Sequence, residues 1–450
     1  MLKKALLNLS YTRIIALSFF SVIFIGSIVL SLPLSVKEGA DVSFLDALFT
    51  ATSAVCVTGL VSVDTFSTWT LFGQLVILAM IQIGGIGLMT VIILFFLFMK
   101  KKIGLKERML LMQSAGNTRL SGIVRLIKKI FAITITCESI GAVLLFLGFV
   151  KTMPPLQAAY YALFHSVSAF CNAGFDLMGR YSAFSSFTAY ESNVLINLSL
   201  MFLIVTGGIG FIVWDDIFKN KLRFSDYSLH SKITLCTTAV LLLSGWVLFY
   251  VFEYGASLSH LSPAKKIIPS LFLSVTTRTA GFNTVDMASL SESGSLLAML
   301  LMLVGGSPGS TAGGVKTSTI AVIVLAAISL SRGESEVNVF KKRLESDLVK
   351  QAAAILLVYL ALIFVSTMVI CHIDGLNMTD VLFETVSAVA TVGLSRGLTP
   401  GLSALSHIIL IILMFGGRIG ALSLFLIFGE RKKAAVTRRP SEKILIGSEE

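Results

Sequence analysis

The sequence predicts an all-α polytopic membrane protein. It is built of four pseudo-symmetric repeats, each a transmembrane helix, a short re-entrant helix and a second transmembrane helix. Three observations predict this. The 450 residues are 55% apolar and only 14% charged, with mean hydropathy +0.88, whereas soluble domains carry about 25% charged residues. Apolar runs of near-spanning length recur along the chain. Two glycine landmarks recur in the same order four times.

The long apolar runs fall at 14–34, 71–99, 130–150, 194–217, 233–252, 296–330 with an interruption, 352–370 and 405–428. Each is near the roughly 20 residues that cross the hydrocarbon core. The first exceeds the core of a secretory signal and reads as a span. Between them lie the half-apolar stretches 43–58, 155–173, 264–280 and 377–392. These are too short to span, so they read as helices that enter the membrane and return. Non-helical backbone at that depth must line water or be buried in protein. The expected repeats are 12–104, 122–220, 228–332 and 346–430, followed by a cytoplasmic tail, 431–450.

Charge orients this plan. Net charge is +11. Of 36 Lys and Arg, 27 fall at the N-terminus, in 100–129, 219–232 and 332–350, and after residue 430. Such alternation is the positive-inside pattern, with both termini cytoplasmic, and not a nucleic-acid surface. The opposite loops carry twelve acids against six bases, a balance that would concentrate cations at a mouth. Five cysteines without a CxxC pair give neither a disulfide framework nor a zinc site.

The first landmark closes each re-entrant segment: Val57-Thr58-Gly59, Asn172-Ala173-Gly174, Thr279-Ala280-Gly281 and Thr391-Val392-Gly393. Phe49, Phe164 and Phe383 stand ten residues before three of these glycines; the third repeat has Leu271 there, with Phe272 next to it. The second landmark is Gly84-Gly85-Ile86-Gly87, Gly207-Gly208-Ile209-Gly210, Gly305-Gly306-Ser307-Pro308-Gly309 and Gly416-Gly417-Arg418-Ile419-Gly420. This periodicity marks internal duplication. Four short segments around one axis can close a ring of carbonyls that replaces a monovalent cation's hydration shell. Glycine supplies the backbone freedom that such a ring needs. The re-entrant helices turn their negative dipole ends toward its centre. The predicted architecture is therefore channel-like, around one ion pore.

The third repeat reads Gly305-Gly306-Ser307-Pro308-Gly309-Ser310-Thr311-Ala312-Gly313-Gly314-Val315-Lys316-Thr317. Such a run cannot sustain a lipid-facing helix. It predicts a second span broken in this repeat alone, with an unwound loop acting as a gate below the ring. Gly305–Gly309 fits a nucleophile elbow in form, but no strand precedes it. Gly309–Gly314 begins like a P-loop, yet Val315 occupies the lysine position and Lys316 comes one residue late. Neither supports an enzyme. Arg418 lies inside an apolar span, where a charge costs roughly 2.5–3.5 kcal/mol on insertion scales. It is expected to touch the 305–317 loop and to raise a barrier there. Arg278 is expected to brace a pore helix, Glu138 to make a buried helix contact, and Lys316 to end the loop toward the cytoplasm.

Together these motifs resemble the Trk/Ktr/HKT superfamily of potassium transporters over roughly residues 12–430. The short tails are most similar to a bacterial Ktr-type (KtrB-like) membrane subunit. The resemblance implies that Gly59, Gly174, Gly281 and Gly393, with the two residues before each, form a potassium filter. It implies K+ rather than Na+ as cargo, since some sodium-favouring plant relatives carry serine in place of Gly59. It also implies an intramembrane gate at 305–317, a pore arginine at Arg418, Na+ as an activator, and no cofactor in this chain. The implied partners are a homodimeric second copy and a cytoplasmic nucleotide-binding regulatory ring of the KtrA/KtrC kind. The implied location is the bacterial plasma membrane. An obligatorily Na+- or H+-coupled potassium symporter shares nearly all of these features.

Overall fold

The computed structural model describes residues 11–87, 123–221, 223–334 and 336–420, with a few isolated positions between 90 and 109. The first repeat holds α1 (Tyr11–Leu30), α2 (Phe44–Cys56) and α3 (Leu71–Ile86). The second holds α4 (Ile123–Phe149), α5 (Pro155–Phe170), α6 (Val194–Gly208) and α7 (Phe211–Asn220). The third holds α8 (Leu229–Phe252), α9 (Pro263–Thr276), α10 (Glu292–Leu303) and α11 (Thr317–Ser331). The fourth holds α12 (Ser346–Asp374), α13 (Met378–Val389) and α14 (Ala404–Ile419). A two-stranded antiparallel hairpin, β1 (Asn338–Val339) with β2 (Lys342–Arg343), precedes α12. The expected tail, 431–450, lies outside the described residues.

Local chemistry starts these helices at matching places. Thr70, Asn193, Ser291 and Ser403 cap α3, α6, α10 and α14, each accepting a backbone N–H three residues on at 2.9–3.3 Å. Such caps satisfy donors that a helix start leaves orphaned. Ser43 and Asp46 form a reciprocal capping box on α2, while Pro155 and Pro263 open α5 and α9.

The repeats interlock in a ring. Within each, the outer helix packs on its own short helix: α1 on α2, α4 on α5, α8 on α9, α12 on α13. Between repeats, α3 packs on α5, α6 on α9, α10 on α13 and α14 back on α2. Phe49, Phe164, Phe272 and Phe383 are fully buried in this ring. The outer helices show apolar residues outward; α8 exposes Val240, Leu243, Val247 and Val251. A continuous apolar stripe on an outer surface needs a non-aqueous neighbour, and the four outer helices have spanning length.

Two expectations need correction. The second spans of repeats one, two and four are not continuous helices over 71–99, 194–217 and 405–428. Helix α3 ends at Ile86 and α14 at Ile419, and α6 and α7 meet at 93°. The last glycine of each landmark causes this: Gly87, Gly210 and Gly420 sit at φ +89°, +101° and +99°, which a helix cannot contain. The break in the third repeat is therefore not unique. In addition, Phe272 and not Leu271 fills the aromatic position of the third repeat. The link from pore helix to glycine is one residue shorter there. Ala280 N–H donates back four residues to the Thr276 carbonyl, whereas Thr58, Ala173 and Val392 donate back five.

The other landmark glycines permit close packing. A Cβ built on Gly84, Gly207 or Gly417 would lie 2.1, 1.9 or 2.0 Å from the carbonyl oxygen of Val55, Phe170 or Val389. Each of those residues stands four before the ring glycine of its own repeat. Gly207→Ala is expected to lose about 1–3 kcal/mol of stability by overpacking. Gly255→Ala, with nothing within 4 Å of its Cβ, should leave stability unchanged. Thermal unfolding of the purified variants in detergent checks the contrast.

Candidate functional site

The site is built where the four short helices end. Each stops a few residues before its glycine, and the chain then turns left-handed twice. Val57, Asn172, Thr279 and Thr391 have φ of +56°, +58°, +63° and +51°. Gly59, Gly174, Gly281 and Gly393 follow at +96°, +69°, +82° and +91°. For the non-glycine residues, three of them β-branched, this region costs of order 1–3 kcal/mol each and persists only where the surroundings enforce it. The sequence signalled the glycines; nothing in it marked the strain two residues earlier.

The four glycines touch in cyclic order. A Cβ on Gly59 would lie 2.6 Å from the Ala173 carbonyl oxygen, and one on Gly174 3.0 Å from that of Ala280. On Gly281 it would meet the Val392 oxygen at 2.6 Å, and on Gly393 the Thr58 oxygen at 2.2 Å. The structure thus brings all twelve predicted ring residues together. The hydroxyls of Thr58, Thr279 and Thr391 and the Asn172 Nδ2 are buried with no protein partner.

Hydroxyls at the helix ends hold the ring. Ser53 and Ser387 Oγ accept the N–H of Gly59 and Gly393, each at 3.0 Å. Ser168 Oγ donates to the Phe175 carbonyl at 2.7 Å, and Thr276 Oγ1 donates to that of Phe282. These four residues were missed, although a hydroxyl five or six before every ring glycine was a readable signal. On one side of the ring lies a mouth of about 270 Å³, lined by Gly59, Gly174, Gly281 and Gly393 and by Asp64, Asp176, Asp286 and Arg396. Half of the twelve loop acids, Asp46, Glu191, Glu253, Asp374, Asp380 and Glu384, instead hold loops and helix ends. Glu253, for example, is fully buried and accepts from Ser257 and Ser291.

Below the ring, residues 305–317 form a loop closed at its neck, where Gly305 N–H donates to the Val315 carbonyl at 2.9 Å. The helix break at Gly210 leaves the Gly207 and Gly208 carbonyls without helical donors. The loop fills them: Thr311 N–H reaches Gly207 O at 3.3 Å and Ser307 N–H reaches Gly208 O at 3.0 Å. In return Phe211 N–H donates to Gly309 O at 2.8 Å. Arg418 does touch the loop. Its guanidinium donates to the Thr311 carbonyl and to the Gly84 and Gly85 carbonyls left free where α3 ends. Lys316 folds inward rather than ending the loop toward the cytoplasm, with Nζ on the Ala312 carbonyl at 2.7 Å. Arg278 joins α8 to the loop neck through the Thr238 and Gly305 carbonyls, at 3.5 and 3.3 Å. Glu138 pairs with Gln82 of the neighbouring repeat at 3.0 Å.

Comparison with known proteins gives the chain a family and a fold. Residues 10–436 match the TrkH family, described as "Cation transport protein". The chain is 37% identical to the "Potassium/sodium uptake protein NtpJ" of Enterococcus hirae, over 99% of both chains. It is 37% identical to the "Ktr system potassium uptake protein B" of Bacillus subtilis, over 97% of this chain and 96% of that one. Its fold matches the crystal structure of the potassium transporter TrkH from Vibrio parahaemolyticus, with TM-score 0.74 at 19% identity, covering 94% of this chain and 86% of that one. A four-repeat helical membrane protein whose pore helices meet at a glycine ring, it is a transporter rather than an enzyme, and it belongs to the TrkH family of cation transport proteins.

Proposed function

We propose that this chain is the potassium-translocating subunit of a bacterial uptake system, with the four-glycine ring as its filter. The observation that carries the reading is the mutual contact of Gly59, Gly174, Gly281 and Gly393 at left-handed φ. Alternating backbone hand turns successive carbonyls toward one axis, where they replace the water shell of a dehydrated cation. The pore-helix dipoles add negative potential at the same place. Hydroxyls buried without a protein partner at the ring suit a path where ions or water complete their coordination. Transport is passive. One charge crossing 100 mV gains about 2.3 kcal/mol, which suffices for accumulation without hydrolysis.

Loop 305–317 is the gate. Closed, it lies under the ring and presents the Arg418 guanidinium to the path. A fixed cation there repels a permeating one. Both termini lie in the cytoplasm, and the polar cytoplasmic surface meets a nucleotide-binding regulatory ring, with two copies of this chain in the assembly. The naming of the Bacillus relative as part of a Ktr system supports such a partnership. The name of the Enterococcus relative, a potassium/sodium uptake protein, favours one further reading, in which Na+ activates transport or moves with K+. Flux that follows the potassium gradient and voltage alone would contradict obligatory coupling.

Uptake of 86Rb+ into liposomes holding the purified chain, under an inside-negative potential, tests the reading. Gly281→Ser places a side chain at φ +82° and 2.6 Å from a carbonyl oxygen; it is expected to cut uptake by about tenfold, the effect of ~1.4 kcal/mol on a barrier. Arg418→Ala is expected to raise unregulated flux by a similar factor of about ten, and unchanged flux would remove Arg418 from the gate.

The outer mouth carries a pH dependence. Burial pushes the Asp176 carboxyl up to about 7, aided by the Asp64 charge and opposed by a hydrogen bond from Met178 N–H. Above that pH it is an anion and draws cations to the mouth; below it is neutral. Uptake at limiting potassium is expected to fall as external pH drops from 8 to about 6, and Asp176→Asn should flatten this profile.

A further inference from the structure

We infer that Thr311 couples the gate loop to the filter, so that loop position sets ion selectivity as well as flux. The inference rests on reading the ring as the ion path. Thr311 is fully buried and joins three repeats. Its hydroxyl shares its proton between the Asn172 Oδ1 at 3.2 Å, on the filter strand of the second repeat, and the Phe170 carbonyl at 3.1 Å, at the end of the pore helix α5. Its carbonyl accepts from Arg418 of the fourth repeat.

Asn172 is one of the four residues held left-handed two before a ring glycine, and the only asparagine among those four. Two residues along the loop, Gly313 presses on a second one. A Cβ on Gly313 would lie 1.9 Å from Thr391 Oγ1. Gly314 faces the Ala390 carbonyl of the same strand, 3.2 Å from its own built Cβ. The loop is therefore the floor of two filter strands that lie across the ring from each other. Strained backbone holds its shape only while its surroundings over-determine it. A loop that withdraws to let an ion pass must break the Thr311–Asn172 bond and lift Gly313 from Thr391. Val57, Asn172 and Thr391 each lean on a glycine of their own repeat as well, within 2.9–3.0 Å of a Cβ built on Gly84, Gly207 or Gly417. Two of the four strands therefore lose one of their two supports when the loop withdraws, and the ring relaxes from the spacing that discriminates between cations.

The test is the ratio of 86Rb+ to 22Na+ uptake into liposomes holding the full chain. Thr311→Val keeps the shape and removes the hydroxyl. It is expected to lower the ratio about fivefold, as for the loss of one buried hydrogen bond, and Thr311→Ser is expected to restore it. Thr311→Ala deletes the same bond with a smaller side chain and carries the same expectation, should Thr311→Val fail to reach the vesicles. Altered flux with an unchanged ratio in Thr311→Val or Thr311→Ala would overturn the coupling. A wild-type chain that carried neither ion selectively would overturn the functional reading, and the coupling with it.

Discussion

The structure depends on one close approach: four glycine backbones pressed against one another in a ring. A side chain at any of the four is strained by the left-handed φ, and at Gly59, Gly281 and Gly393 its Cβ would also lie only 2.2–2.6 Å from a neighbouring carbonyl oxygen. This constraint reaches outward. Each pore helix must end at a set distance from its glycine, and a serine or threonine at that end ties the strand down. Each second helix must come close behind, which is why Gly84, Gly207 and Gly417 stand where carbonyls leave no room for a methyl group. The ring closes because each second helix packs on the next repeat's pore helix and the fourth returns to the first.

The helix breaks give the 305–317 loop its anchoring points. A helix that ends inside a membrane leaves carbonyls without donors, and unpaired polar groups there are costly. Gly87 ends α3 and frees the Gly84 and Gly85 carbonyls, which Arg418 takes. Gly210 turns the chain and frees those of Gly207 and Gly208, which the loop amides take. Broken helices and a half-buried arginine, each unfavourable alone, satisfy one another. The same exchange lets the third repeat's loop lie across its neighbours without a helix of its own.

The repeat plan, the ring glycines and the broken third repeat could be read from the sequence, because only glycine and proline punctuate an apolar span so sharply. The breaks at Gly87, Gly210 and Gly420 were written in the same letters, but Ile86, Ile209 and Ile419 make those spans look continuous by hydropathy. The left-handed conformations of Val57, Thr279 and Thr391 could not be read, since β-branched residues disfavour that region and tertiary packing overrides the preference. The partners of Arg418 were equally hidden: Gly84 lies 334 residues away in the chain, and backbone carbonyls leave no trace in residue identity. Lys316 was misplaced because a charge at the end of a loop reads as solvent-facing, whereas here the loop's own carbonyls solvate it.

The most direct test of whether cations cross through the glycine ring is the anomalous signal of Tl+, a potassium mimic, in crystals of the full chain. Ordered Tl+ is expected on the ring axis, beside the carbonyls of Thr58, Ala173, Ala280 and Val392. Ordered Tl+ elsewhere between the helices, with none at the ring, would contradict that path.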